Sequence, residues 1–543
     1  MQAGENHGAG DAVRSPPDSS MLKVYASRSE LIADLRRCGR VDLVVIGGGI
    51  HGASVARLAA FNGLATVLFE RDDYAFHTSS RSSKMIHGGL RYLESGDFRQ
   101  VYEGLQARAD WLQVAPHLVS WCEFLVPLFR GSPGYRVKLK AGLTLYDLLA
   151  GRRGRRHHWV PHRELPEESF GTLLNKMVGA YRYYDATMDD TRLTIESLVS
   201  ARDEGARTLN YAPVTGIAAL AGGGAIVTWR DSLTGTSYEL PTGAVVNCAG
   251  PWAPWVGRTP GKPERGGVRY SRGAHLIFRK RWNREAVFLP LAQAGQYYWV
   301  WPHPAGTLVG TTDSETDTLE ANPEPTPGEV DEILGRLERD LPSAGLTRET
   351  LQSAFCGVRT LPLNPSRGSV VTLSRRHRLD WEGPILILRG GKFTTAPWTA
   401  AEVMKEVWLR AEPDRPFVPL GARPLPGAER FQEEAELFKA AARERGIPDS
   451  IIERVCRTWG GRVRFIREHP AWLELIGGAI LRGEVALGVL VEQVTSAEDL
   501  FRRRLSMHYW GALSAELRQE LEREVQLFSR EASPRPAPLI TTV

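Results

Sequence analysis

A stretch near the amino terminus, residues 41–70, has the order of elements that a dinucleotide-binding βαβ unit requires. It begins with the near-continuous apolar run VDLVVI, which is typical of a parallel strand buried on both faces. The turn that follows carries Gly47, Gly49 and Gly52. We expect Gly47 to permit the tight turn, Gly49 to let the backbone approach a pyrophosphate, and Gly52 to let the next helix pack closely on the strand.

Glu70 ends the second apolar run of this unit, about 20 residues beyond the glycines. A carboxylate at that position accepts hydrogen bonds from a ribose 2′-hydroxyl and repels a 2′-phosphate. The context of strand, turn, helix and acid therefore predicts dinucleotide binding, which three glycines alone would not. NAD and FAD share this pattern, so the unit leaves the choice between them open.

Composition limits the other possibilities. The 543 residues, 42% of them hydrophobic, are enough for two or three packed domains. The formal net charge of +5 is small for this length, and no nucleic-acid-binding motif accompanies it. The five cysteines have no C-x-x-C spacing, which argues against a zinc site or a disulfide framework and fits a reducing cytosol. We therefore expect neither a nucleic-acid partner nor a metal site.

Periodicity along the chain predicts an α/β fold in which a Rossmann-like dinucleotide-binding domain is interleaved with a mixed or antiparallel substrate layer, followed by a C-terminal helical domain. The expected strands lie at 225–230, 244–248, 275–278, 297–301, 307–310 and 385–389, and the expected helices at 190–204 and 327–341.

The domain boundaries follow from the same pattern. Residues 1–38 are expected to be a partly disordered extension, and residues 412–543, which are charged and nearly free of strands, to form the helical domain. The nucleotide-binding domain within 39–411 is expected to be discontinuous. Its parts are about 39–110, 180–252 and 352–411, and the inserted substrate layer is about 111–179 and 253–351.

Residues 78–92, TSSRSSKMIHGGLRY, concentrate hydroxyls, glycines and cations just after the βαβ unit. Hydroxyls and free backbone N–H groups suit a pyrophosphate or the edge of a planar ring. Gly88 and Gly89 would let the chain pass close to such a ring, and Arg91 would hold an anion. The residues of this run that we expect to contact the cofactor are Ser79, Ser80, Ser83, Lys84, His87, Gly88 and Gly89.

Two later segments add to this pattern. The segment NCAGPW, 247–252, ends a buried strand with a glycine turn, which fits a second backbone approach to the cofactor through Ala249 and Gly250. The segment GGKFTTAP, 390–397, predicts a helix start whose positive end could stabilise negative charge on the cofactor. From the latter we expect Gly391, Lys392 and Thr394 to contact the cofactor.

Further motifs resemble one family nearly end to end. They are IGGGIHGAS (46–54), TSSRSSKMIHGGLRYLESGDFRQV (78–101), MDDTRL (188–193), NCAGPWA (247–253), VGTTD (309–313), GVRTLP (357–362), SRRHRLD (374–380), GGKFTT (390–395) and RRRL (502–505). The chain resembles the FAD-dependent, quinone-linked glycerol-3-phosphate dehydrogenases within the D-amino-acid-oxidase-like flavoproteins. The resemblance implies a Rossmann-like FAD-binding domain and non-covalent FAD. It also implies oxidation of sn-glycerol 3-phosphate to dihydroxyacetone phosphate by hydride transfer to flavin N5, with electrons passed to membrane quinone.

The resemblance also implies how the substrate is held. Arg91, Arg359 and Arg375 would clamp the phosphate, because a bidentate guanidinium suits that charge better than a flexible ammonium. Tyr92 and Lys392 would also contact the substrate, with Lys392 close to the flavin as well.

Oxidation of a secondary alcohol needs a base for the hydroxyl proton. We expect His275 to be that base, because imidazole titrates near working pH, and we keep His377 and Tyr92 as alternatives. With His275, the residues expected to be catalytic are Arg359 and Lys392.

One segment departs from the family pattern. The family usually continues G-G-K-x-T-T with Tyr-Arg before the helix, whereas this chain has Ala396, Pro397 and Trp398. The departure leaves substrate and electron-acceptor preference open. The alternatives are a glycerol-3-phosphate oxidase that uses oxygen, an oxidoreductase of another anionic 2-hydroxy or amino substrate, and a non-catalytic flavin-binding sensor.

Residues 136–158 combine leucines with cations. The pattern suits an anionic bilayer surface, and equally an ordinary amphipathic helix followed by a basic loop. Because quinone access implies a membrane surface, we expect peripheral attachment to the cytoplasmic face of the cell membrane. The resemblance also favours a homodimer. The residues expected at the membrane are Leu139, Leu143, Leu145, Leu148, Leu149, Lys138, Lys140, Arg152, Arg153, Arg155 and Arg156.

Overall fold

A computed structural model describes residues 25, 27–93, 96–131, 133–256, 268–290, 297–362, 377–411 and 416–531. The strands, in chain order, are β1 Val41–Ile46, β2 Thr66–Phe69, β3 Met85–Ile86, β4 Val119–Phe129, β5 His158–Pro161, β6 Met177–Met188, β7 Arg207–Leu209, β8 Val214–Ala219, β9 Ala225–Arg230, β10 Ser237–Asn247, β11 Val268–Phe278, β12 Ala286–Pro290, β13 Tyr297–His303, β14 Gly306–Gly310, β15 Ser314–Thr316, β16 Leu351–Pro362, β17 Arg378–Glu382, β18 Ile385–Arg389, β19 Leu475–Ile476 and β20 Ile480–Leu481.

The α-helices, in chain order, are α1 Arg28–Cys38, α2 Ile50–Phe61, α3 Phe98–Val114, α4 Pro133–Ala150, α5 Glu167–Phe170, α6 Asp190–Asp203, α7 Pro327–Asp340, α8 Ala396–Ala411, α9 Phe431–Glu444, α10 Asp449–Trp459, α11 Val463–Glu468, α12 Arg482–Leu490 and α13 Ala515–Glu531.

The first sheet is the nucleotide-binding layer, with strand order β17-β18-β10-β1-β2-β7 and the β8–β9 pair attached to β10. Strands β18, β10, β1, β2 and β7 are parallel. Five of the six residues of β1 are buried, as expected of a strand covered on both faces. Helices α2, α6 and α8 cover one face, and α1 covers the other together with the β8–β9 ribbon.

The second sheet is mostly antiparallel and has strand order β15-β11-β14-β13-β12-β4-β6-β3. Strand β16 pairs with β11, and β5 pairs with β6. Helix α7 buries Ile333 and Leu337 against one face, and α4 buries Leu139, Leu143 and Tyr146 against the other. Helices α9 to α13 form a third unit with its own apolar core. Strands β19 and β20 form a two-stranded sheet within this unit.

The predicted fold class is confirmed: an α/β layer is interleaved with a mixed sheet and followed by helices. The predicted strands at 225–230 and 385–389 have the predicted bounds. Two long strands differ from the predicted domain boundaries, because β6 and β16 pair within the second sheet although most of each was assigned to the nucleotide-binding part. Within the predicted extension, α1 is an ordered helix with a capping box, tied to the first sheet by an ion pair of 2.7 Å between Arg28 and Asp231.

Candidate active site

A cavity of about 430 Å³ lies at the carboxyl ends of β1, β2 and β10 and extends to the second sheet. Ligands of open parallel sheets bind at this edge. The sequence-predicted residues that line it are Gly47, Gly49, Glu70, Ser79, Ser83, His87, Tyr92, Ala249, Gly250, His275, Arg359, Gly391, Lys392 and Thr394. The structure therefore brings together residues from six separate segments of the chain.

The glycine turn between β1 and α2 is closely packed. Gly47 has a φ of +107°, and a Cβ there would lie 2.7 Å from the carbonyl oxygen of Cys248. A Cβ on Gly52 would lie 1.9 Å from the carbonyl oxygen of Gly47. These contacts require glycine, for left-handed backbone at one position and for close helix packing at the other.

The amino terminus of α2 faces this cavity. Gly49 precedes the helix and supplies no side-chain cap. Ser79 compensates from a distant loop, because its hydroxyl accepts a hydrogen bond of 3.0 Å from the backbone N–H of Ile50. The positive end of the helix and its N–H groups make this end of the cavity a site for phosphate.

Glu70 lies at the end of β2, where the sequence predicts a ribose contact. Its carboxylate accepts hydrogen bonds from the backbone N–H groups of Gly48 (2.6 Å) and Asp72 (2.9 Å). Burial raises the pKa of Glu70 to about 7, although these two N–H groups oppose the shift. The carboxylate is thus fixed at the cavity wall by backbone donors.

The sequence analysis missed an aromatic and cationic group beside Glu70. The Arg71 guanidinium lies 4.4 Å above the Trp252 ring, and the rings of His77 and Trp252 are 4.0 Å apart. All three residues line the cavity, and Asp72 pairs with His77 at 2.9 Å. Arg71 directly follows the predicted acid at the end of a parallel strand, which is the signal that could have identified it.

His275 lies on β11 at the side of the cavity formed by the second sheet. Its Nε2 is 2.9 Å from the Ser83 hydroxyl, and its ring stacks on Phe355 with centroids 4.9 Å apart. Burial, together with the Arg359 charge, lowers the pKa of His275 to about 3. The imidazole is therefore neutral at physiological pH in the empty cavity.

Arg359 lies on β16 and is held by second-sheet groups. Its guanidinium donates to the hydroxyls of Thr311 (2.9 Å) and Ser271 (3.4 Å) and lies 3.5 Å from the Asp313 carboxylate. The side chain remains 22% exposed, so part of it faces the cavity. This arrangement orients a planar cation toward the space where an anionic group would bind.

Lys392 and Tyr92 meet at one end of the cavity, where the Lys392 ammonium lies 3.7 Å above the Tyr92 ring. Tyr92 and Arg359 also line a smaller cavity of about 150 Å³ that adjoins the larger one. Of the other predicted phosphate ligands, Arg91 lies in the turn Leu90–Leu93, where only its backbone is described, and Arg375 lies outside the described residues.

His51, the second residue of α2, was not singled out from the sequence although it lies between Gly49 and Gly52. It lines the cavity next to Gly391, where a Cβ would be 2.6 Å from its Nε2. That buried nitrogen has no hydrogen-bond partner within the described part of the chain. Burial, with a smaller effect of His377, lowers the pKa of His51 to about 4. A buried nitrogen of this kind is suited to a polar atom of a ligand.

Several predicted cofactor contacts have other roles, because their polar groups are used within the protein. Lys84 is buried and pairs with Asp190 at the start of α6, and the Ser80 hydroxyl donates to the carbonyl of His77 at 3.1 Å. Gly88 packs beneath α3 and α4, where its N–H donates to the Tyr146 hydroxyl at 2.9 Å. Gly89 lines the smaller cavity, and Gly52 lies in the close helix contact predicted for it.

His377, an alternative proton acceptor, is not among the described residues that line the cavity. Its Nε2 pairs with Glu402 of α8 at 2.7 Å. The departing residue Trp398 lies on the surface, where its indole N–H donates to Asp110 of α3 at 3.1 Å. Of the departing residues, Trp398 therefore faces outward, whereas Ala396 is buried at the start of α8.

The cavity fits a flavin dinucleotide better than a smaller ligand. The glycine turn and the amino terminus of α2 line one part of it, together with the Glu70 carboxylate and the Trp252 ring. The buried imidazole of His51, beside Gly391, lines another part. Gly47, Gly49 and Ser79 would hold the pyrophosphate, and Glu70 the ribose. Fold and cavity thus define a dinucleotide-dependent oxidoreductase.

Comparison with known proteins narrows this class. The chain belongs to the FAD dependent oxidoreductase family, whose model matches residues 42–406. It is 33% identical to D-erythritol 1-phosphate dehydrogenase of Brucella abortus over 494 residues, which cover 88% of this chain and 96% of the relative. It is 31% identical to glycerol-3-phosphate dehydrogenase of Synechocystis over 501 residues, covering 86% and 88%.

A solved structure shares the overall fold. The glycerol-3-phosphate dehydrogenase from Bacillus halodurans, complexed with FAD, matches with a TM-score of 0.70 at 24% identity over 93% of each chain. The resemblance to FAD-dependent glycerol-3-phosphate dehydrogenases is thus confirmed. This chain is an FAD-dependent oxidoreductase, and FAD is its cofactor.

Proposed function

We propose that this protein oxidises sn-glycerol 3-phosphate to dihydroxyacetone phosphate and passes the electrons to a membrane quinone. The observation that carries the proposal is that Arg359, Lys392, Tyr92 and His275 all line the cofactor cavity. The names of the 31% identical Synechocystis relative and of the 30% identical mitochondrial relative of Bos taurus, both glycerol-3-phosphate dehydrogenases, support the substrate.

In this mechanism the phosphate binds to the guanidinium of Arg359 and the ammonium of Lys392. Arg359 is oriented by Thr311 and Ser271, so a phosphate finds its donors already in position. Bound FAD supplies the acceptor for the two electrons and the hydrogen that leave the carbinol carbon.

His275 accepts the hydroxyl proton as the carbon–oxygen double bond forms. Its neutral imidazole has a lone pair for that proton, and a bound phosphate dianion would raise the depressed pKa of His275 by favouring the charged form. The contact between the Ser83 hydroxyl and Nε2 fixes the ring orientation.

An anaerobic visible spectrum of the purified holoenzyme tests this function. We expect the flavin absorbance to bleach when sn-glycerol 3-phosphate is added, and His275→Ala to slow that bleaching far more than it weakens substrate binding. Absorbance that persists with every phosphorylated polyol would instead favour a non-catalytic flavin protein. Equal bleaching rates in the two proteins would assign the proton to another group.

D-Erythritol 1-phosphate is a second candidate substrate. The relative with that printed name is 33% identical and is matched over nearly its whole length. The two candidate substrates share a phosphate and a secondary alcohol and differ by one carbon, so the same clamp and the same proton acceptor would serve both. Comparison of their bleaching rates separates the two.

Peripheral membrane attachment through α4 would give access to quinone. Exposed Val137 and Leu148 are 70% and 72% accessible, and they lie beside the exposed cations Lys138, Lys140 and Arg152. An apolar face flanked by cations binds anionic bilayers. Within the described residues no helix is both long and apolar enough to span a bilayer.

The residues first expected at the membrane need one correction. Leu143 is fully buried and Leu139 is nearly so, because both lie on the face of α4 that packs against the second sheet. Arg153 pairs with Asp110, and the Arg155 guanidinium lies over the Trp121 ring. A surface test must therefore use Val137 and Leu148 and leave the buried leucines intact.

Vesicle flotation with anionic lipid tests the attachment. We expect Val137→Ser with Leu148→Ser to reduce binding several-fold. Leu409→Ser, which changes an equally exposed leucine on α8, should not. Equal binding of the double variant and the control would exclude α4. Reoxidation of reduced holoenzyme by oxygen as fast as by a quinone analogue would favour the oxidase alternative and a soluble location in the cytoplasm.

A further inference from the structure

The smaller cavity adjoins the larger one, and the two share Ser83, Met85, His87, Tyr92 and Arg359. His275 and Lys392 line only the larger cavity. Because Arg359 and Tyr92 line both cavities, the two spaces are continuous, and a longer carbon chain bound in the larger cavity can reach the smaller one.

The walls of the smaller cavity suit a carbon chain that bears hydroxyl groups. Phe124, Tyr183, Phe288 and Trp299 provide apolar faces for carbon-bound hydrogens. The carboxylate of Asp313 and the hydroxyl of Ser314 are hydrogen-bonding groups on the same lining. Apolar walls with a few polar groups are the usual construction of a small-molecule site.

The charges of the smaller cavity disfavour a second phosphate. Arg336 pairs with Glu332 and also donates to the carbonyl of Thr311 at 3.3 Å, while Arg359 has Asp313 at 3.5 Å. Arg336, which lines the smaller cavity and not the larger one, is thus offset by a carboxylate, which weakens its attraction for a second dianion. Uncharged hydroxyls can bind to both members of such pairs, because one donates and the other accepts.

The volume fits a modest extension of the substrate. A cavity of about 150 Å³ corresponds to about five water molecules at roughly 30 Å³ each in the liquid. It can therefore hold one or two hydroxymethylene groups in place of water, but not a nucleotide.

We infer that the smaller cavity is a chain-length subsite, which receives the hydroxylated end of polyol phosphates of four or more carbons and makes Ser314 and Asp313 specificity-determining residues. This inference rests on the proposed oxidation of a polyol phosphate and extends it from a three-carbon substrate to a substrate class. The phosphate and the reacting carbinol stay in the larger cavity.

The test compares kcat/KM for a tetritol 1-phosphate with kcat/KM for sn-glycerol 3-phosphate in the holoenzyme. Ser314→Leu fills the subsite, whereas the matched control Thr316→Leu changes the residue two positions along β15, which lines neither cavity. Retained flavin absorbance shows that each variant folds, and Ser314→Val is the smaller replacement if the leucine variant loses FAD.

We expect wild type to oxidise both phosphates with kcat/KM values within tenfold of each other. Ser314→Leu should lower the ratio of the four-carbon to the three-carbon value at least tenfold, mainly through KM, and Thr316→Leu should leave it within twofold. A ratio unchanged by Ser314→Leu, or no turnover of the tetritol phosphate by wild type, overturns the subsite while the three-carbon function stands. Failure of both phosphates to bleach the flavin overturns the proposed function and the subsite together.

Discussion

Arginine–carboxylate pairs occur in two regions of the molecule, and their exposure to solvent differs. Beneath the C-terminal helices, Arg192 and Glu492 form two hydrogen bonds of 2.7 and 2.8 Å, and both side chains are 0% exposed. At the cavity, Arg359 is 22% exposed and lies 3.5 Å from Asp313, so its charge is only partly offset by the protein. We call the buried ion pairs beneath the C-terminal helices the closed group and the partly exposed Arg359 the open cation. The closed group holds parts of the fold together, whereas the open cation is suited to bind an anion.

Asp73 connects the two regions. It lies three positions after Glu70, in the loop between the ribose carboxylate and Ser79. Arg504 donates to both of its carboxylate oxygens, at 2.7 and 3.0 Å, and Arg503 donates to it as well. The C-terminal unit therefore holds one of the loops that form the cofactor cavity.

Asp73→Ala should have the largest effect, because it leaves Arg503 and Arg504 buried without this partner. Removing one partner of a buried ion pair costs about 3–5 kcal/mol. We expect a loss of that size in the free energy of unfolding, measured by urea titration with tryptophan fluorescence, and faster FAD release on dilution.

The control for Asp73→Ala is Glu433→Ala, which removes the partner of Arg430 on the surface of α9. Its unfolding midpoint should equal that of wild type. A small loss in Asp73→Ala with normal FAD retention would mean that the C-terminal unit does not position the cofactor loop.

Acid should also weaken the buried ion pairs around Glu196, which lies one turn after Arg192 on α6. Burial alone would raise the pKa of Glu196, but His117 and Arg462 outweigh it and lower the pKa to about 2. Because the folded pKa lies below the value of 4.5 for a free glutamate, the stability from this group is complete above pH 4.5 and is lost as pH falls toward 2.

Glu196→Gln sharpens this point. The variant should be less stable than wild type at pH 7 but should have a shallower loss of unfolding free energy between pH 4.5 and 2. Equilibrium unfolding at several pH values in that interval measures both slopes. Parallel slopes would assign the acid sensitivity to other carboxylates.

Arg359→Lys tests the open cation. Hydrogen bonds to charged groups contribute about 1.5–3 kcal/mol each, so loss of one should lower kcat/KM roughly 10- to 150-fold with FAD still bound. Arg182→Lys is the control, because Arg182 is similarly exposed at 24% but pairs with Glu285 on the second sheet. An unchanged kcat/KM in Arg359→Lys would remove this residue from the phosphate clamp.

The residues of the cofactor cavity were easier to predict from the sequence than the buried ion pairs. The reason is that interacting residues of the ion pairs lie far apart along the chain. Gly47, Gly49 and Glu70 act within one βαβ unit, whose order and spacing are visible in 30 residues. Arg504 and Asp73 are 431 positions apart, and no local pattern links them.

The same reason explains why the cavity motifs do not show which of their side chains line the cavity. The run at 78–92 indicates many polar groups but not which of them face inward. Lys84 turns to Asp190, 106 positions away, because a buried ammonium requires a carboxylate. Likewise, the leucines of α4 look alike in sequence, although Leu143 is buried and Leu148 is on the surface.

Ser79→Ala should have the smallest effect. It tests whether the cofactor cavity depends on the hydrogen bond between the Ser79 hydroxyl and the start of α2. The Ser79 hydroxyl is the acceptor for the Ile50 N–H at the start of α2, and loss of such a cap costs about 1 kcal/mol. We expect weaker FAD affinity of about fivefold, measured by flavin fluorescence titration, with little change in kcat at saturating FAD. The comparison residue is Thr326, which caps α7 outside the cavity. If Thr326→Ala weakens FAD binding as much as Ser79→Ala does, the effect is one of general stability, and the hydroxyl has no particular part in presenting the α2 terminus to the cofactor.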